Sequence, residues 1–89
     1  MHPSLVEILV EGTRYLAYFV KFRRFISDLP GVNGIQVKEI QPDEATLVVD
    51  FQGNAKALAK ALMLKTFDAF GIKISELSDD KLKIELIPE

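Results

Sequence analysis

Leu29–Asn54, LPGVNGIQVKEIQPDEATLVVDFQGN, is the stretch whose reading decides the fold. Ile35–Ile40 and Ala45–Phe51 alternate apolar and polar residues, as strands with one buried face do. Between them lies Gln41-Pro42-Asp43-Glu44. Pro-Asp is turn chemistry, so the two strands read as a β-hairpin. Ile35 and Val37 on the first strand, and Leu47, Val49 and Phe51 on the second, are expected to face inward. At the front, Leu29-Pro30-Gly31 stops a helix, because proline disfavours a helical residue before it. At the back, Gly53-Asn54 ends the hairpin and offers Asn54 as the N-cap of another helix.

Working outward, Arg14–Leu29 reads as the stronger helix. Tyr15, Phe19, Phe22, Ile26 and Leu29 recur at three- and four-residue steps, and Tyr18 and Phe25 widen that stripe. Thr13 is placed to cap it. Leu5–Glu11 reads as a strand, with Val6, Ile8 and Val10 on one side and Leu5, Glu7, Leu9 and Glu11 on the other. Ala55 to about Thr66 is a second helix with Leu58, Ala59, Leu62 and Thr66 inward and Lys56 and Lys60 outward. Phe67 and Phe70 are expected to close the core, with Gly71 as the C-cap. Ile72–Leu77 and Lys81–Ile87 read as strands around Ser78-Asp79-Asp80, as either a hairpin or one bulged strand; Asp-Asp favours the hairpin.

The order is β-α-β-β-α-β with a possible extra C-terminal strand. It predicts an α+β ferredoxin-like plait, with two helices on one face of a four-stranded antiparallel sheet. The chain has 89 residues, 48% hydrophobic, which suits one domain over residues 4–88. Such a chain buries only about 60–65% of its unfolded surface, so packing matters.

Formal net charge is −2 and there is no cysteine, which removes disulfides, thiolate metal sites and cysteine nucleophiles. No metal, cofactor or catalytic set is expected. Met1-His2-Pro3-Ser4 has neither a basic nor a long apolar run, so it reads as neither a signal peptide nor a membrane anchor. Two origins fit: an intact cytoplasmic protein, or a segment of a longer bacterial protein with a periplasmic or envelope location.

The helix end Leu29-Pro30-Gly31-Val32, the hairpin ending Val48-Val49-Asp50-Phe51 and a helix carrying Leu58 and Leu62 resemble the heavy-metal-associated domain over roughly Val6–Gly71. That family carries Met-x-Cys-x-x-Cys before its first helix; here the loop is Glu11-Gly12-Thr13-Arg14-Tyr15-Leu16, so metal transport is not implied. Phe67–Ile74 is similar to the Gly-Ile-Asn-Ile stretch of ACT-type regulatory domains. The Leu-Pro-Gly-Val helix end, hairpin and Leu-x-x-Leu helix also resemble small repeated modules of envelope lipoproteins and of flagellar assembly protein T-type proteins.

Each candidate site has a plain structural reading beside it. His2, the single histidine, would need an ordered partner to act as a base, yet it sits at a terminus, where a bystander is expected. Glu7, Glu11, Lys38, Asp50, Lys83 and Glu85 are expected to share the open sheet face as a solvated, charge-balanced surface. Leu9, Val48, Ile87 and Ile40 fall on that face too; if contiguous, they form a docking patch. Arg14, Lys21, Arg23 and Arg24 make a basic stripe on the first helix. The third strand, Thr46–Phe51, lacks outward aromatics, which argues against an RNA-binding plait. Leu62-Met63-Leu64 is too apolar all round for a surface helix, so either the helix turns near Lys65-Thr66 or part of the run touches something else.

The expected function is a non-enzymatic protein-interaction or assembly module of a larger bacterial protein. It docks through the outer sheet face or a sheet edge, to a partner or a second copy, using Leu9, Val48, Ile87, Met63 and Leu64. Nucleic acid and membrane insertion are not expected. The alternative, implied by the ACT resemblance, is a dimeric small-molecule sensor with its ligand at Gly12-Thr13-Arg14.

Overall fold

The computed structural model describes residues 5–64 and 70–88. Chain order is β1 (Leu5–Glu11), α1 (Leu16–Ser27), β2 (Val32–Gln41), β3 (Glu44–Phe51), α2 (Ala55–Met63), β4 (Phe70–Ser78) and β5 (Lys81–Pro88). The strands form one sheet in the order β2-β3-β1-β5-β4. The Cα radius of gyration is 12.0 Å, close to the ~12 Å expected of a folded chain this long.

The β2–β3 hairpin pairs Gln41 with Glu44, so the turn is the two-residue Pro42-Asp43, tighter than the four residues expected. β1 lies antiparallel to β3, with Ile8 opposite Leu47 and Val6 opposite Val49. On its other side β1 runs parallel to β5, with Ile8 opposite Leu82 and Val10 opposite Ile84. β4 then pairs antiparallel to β5 and forms the far edge.

The expected four-stranded antiparallel sheet is therefore corrected to five strands and a mixed sheet. The terminal segments form the hairpin, and its return arm inserts beside β1. The side chains explain which arm goes inside. β5 contributes Leu82, Ile84 and Leu86, all buried, and an inner strand must bury a full face. β4 is mostly exposed beyond its first residues and carries a bulge between Glu76 and Ser78, which suits an edge.

Val6, Ile8, Val10, Leu47, Val49, Leu82 and Ile84 share one core cluster with Phe19, Phe22 and Ile26 of α1 and Leu58, Ala59 and Leu62 of α2. Both helices thus cover the same sheet face. Phe70 of β4 belongs to this core, and partly buried Tyr18 of α1 stacks on it, with ring centroids 5.0 Å apart. Phe70 is buried at the start of β4, and Gly71 pairs with Ile87 inside that strand, so neither belongs to a helix end. Gly34 lies within β2. Phe67, Thr66 and His2 lie outside the described residues.

The helix starts show why local signals only partly set boundaries. Asn54 caps α2 as expected, its Oδ1 accepting from the Ala57 amide at 2.9 Å. Thr13 does not cap α1. The N-cap position is Tyr15, without a side-chain cap, and the buried Thr13 hydroxyl has no hydrogen-bond partner among the described residues. The reason is tertiary: the Gly12 and Thr13 amides donate to the Asp43 carbonyl at 2.9 and 3.3 Å, which holds this loop outside the helix.

Candidate functional site

Four surfaces follow from this architecture. The first is the outer sheet face, uncovered by helices. Cross-strand register places Glu7 opposite Val48 and Lys81, and Leu9 opposite Thr46 and Lys83. Lys38 Nζ approaches Glu7 Oε1 at 3.1 Å, and Lys81 Nζ approaches Glu7 Oε2 at 3.8 Å. Lys83 Nζ lies 3.1 Å from Glu11 Oε1. The two β1 carboxylates are thus engaged by flanking lysines. Exposed pairs of this kind contribute about 0–1 kcal/mol each and make a balanced surface.

The apolar residues expected to line that face are not contiguous. Leu9 and Val48 lie on adjacent strands, both half-buried. Ile87 is four residues along β5 from Lys83, the partner of Leu9, and so about 13 Å away. Ile40 changes side: the bulge between Val37 and Glu39 sets it opposite Ala45, a core residue, so it belongs to the helix-side parity. A shallow depression does form around Glu7, Leu9, Thr46, Leu77 and Lys81. Leu77 joins it from the β4 bulge, a placement that strand parity alone does not reveal.

The second surface is the end of α2. Met63 and Leu64 are 72% and 83% exposed, whereas Leu62 is fully buried. They belong to the helical layer, so they do not extend the outer-face residues.

The third is the Gly12–Arg14 loop. Besides the two amides held by the Asp43 carbonyl, the Arg14 amide donates to Asp43 Oδ1 at 3.4 Å. Arg14 Nε lies 3.5 Å from the same oxygen, and its guanidinium sits 5.3 Å from the Tyr15 ring centre. The amides and cation that could receive a ligand's carboxylate there are occupied by the chain's own hairpin turn. Asp43 was legible as a turn residue, but its role as an internal anion needed the third dimension.

The fourth is the β2 edge. Among the described residues β2 pairs only with β3, which leaves its other side without a strand neighbour there. Beside it runs a groove lined by Val20, Arg23, Arg24 and Ser27 of α1 and Ile35 of β2. Leu16 and Val20 are one turn apart on α1 and 66% and 48% exposed; Ile40, on the edge strand, is 68% exposed. In the sequence Arg23 and Arg24 read as part of a basic stripe, whereas Leu16 and Val20 belong to no expected surface. The available signal was their spacing: two apolar residues four apart, off the Phe19-Phe22-Ile26 stripe.

Among the described residues no group of three or more His, Cys, Asp or Glu side chains could hold a metal ion. No described helix is long and apolar enough to cross a membrane. No family model, curated protein or solved structure matches the chain.

Proposed function

We propose that this chain is a non-enzymatic protein-interaction module that docks through the β2 edge and the adjoining flank of α1. The observation that carries this reading is the exposure of Leu16, Val20 and Ile40 beside a strand with one unpaired edge. Exposed apolar side chains gain by leaving water, and open main-chain groups gain by pairing, so the two features favour the same event. The engagement of Glu7 and Glu11 by lysines supports a structural rather than a catalytic role for the paired carboxylates.

We also propose a kinship with the ferredoxin-like plait. Its support is the β1-α1-β2-β3 order with β3 between β1 and β2. The departure is β5, which runs parallel to β1 where the last strand of a plait would be antiparallel.

Photo-cross-linking tests the docking reading. With p-benzoylphenylalanine at Val20 or Ile40, the full protein is expected to form an adduct with a protein partner or a second copy, while the same group at exposed Lys56 of α2 is not. Equal yields at all three positions would remove the β2 edge as the docking surface.

A further inference from the structure

Helix α1 carries Lys21, Arg23 and Arg24 and no acidic residue. Among the described residues, none of the three cations has a salt-bridge partner: the ion pairs go to Arg14, Lys38, Lys81 and Lys83 instead. This local excess of positive charge stands out in a chain whose net charge is −2. Two of the uncompensated cations, Arg23 and Arg24, line the same groove as Val20 and Ile35, beside the open edge of β2. A strand added to that edge would turn every second side chain toward α1.

The spacings match. Val20 to Arg24 is four residues along a helix, a rise of about 6 Å. Alternate residues of a strand are about 6.6–6.8 Å apart. A strand can therefore set an apolar side chain over Val20 and Ile35 and, two residues on, a carboxylate against the Arg23–Arg24 pair. β1 and β2 are both antiparallel to β3, so α1, returning between them, runs against β2. An incoming strand antiparallel to β2 then runs in the sense of α1, and its motif reads apolar-x-acidic.

From this we infer that the β2 edge receives an acidic, extended segment of a partner protein, added as a sixth strand antiparallel to β2. The inference rests on the docking reading above and names the chemistry of the partner. A second copy of this surface is a poor occupant, because a two-fold contact through α1 would bring arginines toward arginines. The bulge between Val37 and Glu39 interrupts the edge, so the pairing falls on the stretch before it, Gly34–Val37.

The test is fluorescence anisotropy with labelled peptides of about eight residues, the length of an ordinary strand. One alternates threonine with a valine-x-glutamate core; its control replaces glutamate by lysine. The acidic peptide is expected to bind and the lysine peptide not. R23E/R24E, at two exposed positions, is expected to weaken binding by about tenfold or more and to invert the preference. Binding is also expected to weaken between about 50 and 500 mM salt, since exposed charges are screened. Val20→Asp serves as a second variant, and an unchanged thermal midpoint establishes that each variant is folded.

If both peptides bind equally and both are lost in Val20→Asp, the charge inference is overturned while the docking reading stands. If neither binds, the inference is overturned, and the cross-linking yields at Val20 and Ile40 decide the docking reading separately.

Discussion

At the residue scale, Gly12 shows most directly how this chain depends on backbone freedom. Its φ of +91° lies in the region that side chains disfavour, and a Cβ there would meet the Leu86 carbonyl oxygen at 2.9 Å. Neither problem relaxes easily, because Leu86 O belongs to the backbone of β5, an inner strand. Gly12→Ala is expected to destabilise the fold by about 1–3 kcal/mol, read as a lower urea midpoint at unchanged slope. Gly71 offers the contrast: among the described residues nothing lies within 4 Å of a Cβ placed there. Both glycines follow a strand or helix signal in the sequence, and nothing local distinguishes them. The difference is a neighbouring strand.

At the element scale, the strongest local signals produced elements where they were expected, and neighbours moved the ends. α2 begins at its Asn54 cap because the side-chain acceptor lies within three residues of the amide it serves. Asn54→Ala is expected to cost about 1 kcal/mol, measured by chemical denaturation, since the Ala57 amide loses that acceptor. α1 starts at Leu16 rather than Arg14, because Asp43, 29 residues beyond Arg14, holds the intervening loop. The buried stripe of α1 was legible because Phe19, Phe22 and Ile26 repeat at helical steps. Its flank was not: Leu16 and Val20 would look like core residues in any helix wrapped on that side. They are exposed because β2 is an edge and, among the described residues, no strand lies beyond it.

At the scale of the whole molecule, the insertion of β5 between β1 and β4 decides which residues become neighbours. It can be tested chemically, since the chain contains no cysteine. Leu9 and Lys83 are cross-strand partners on the outer face, whereas Lys73 lies one strand further away, opposite Glu85. A chain with Leu9→Cys and Lys83→Cys is expected to close a disulfide on mild oxidation, detected as faster migration under non-reducing conditions. A chain with Leu9→Cys and Lys73→Cys is not. The reverse result would place β4 beside β1 and restore the simple antiparallel plait. The docking residues expected from strand parity remain dispersed, because the β1–β5 register ends at Glu85 and leaves Ile87 beyond it, while Leu9 and Val48 lie near the middle of the sheet.

Element type, the inward residues of β1, β3 and β5 and the stripe of α1 were set by the sequence alone, because alternation and helical period act over a few residues, whereas the bulges in β2 and β4 re-aimed Ile40 and Leu77. Strand order, the parallel β1–β5 pair, the occupation of the Gly12–Arg14 loop by Asp43 and the open groove between α1 and β2 were decided only in three dimensions. Each depends on residues far apart in the chain competing for one neighbour. That competition turns on which strand buries a complete face, and no short window of residues carries this information.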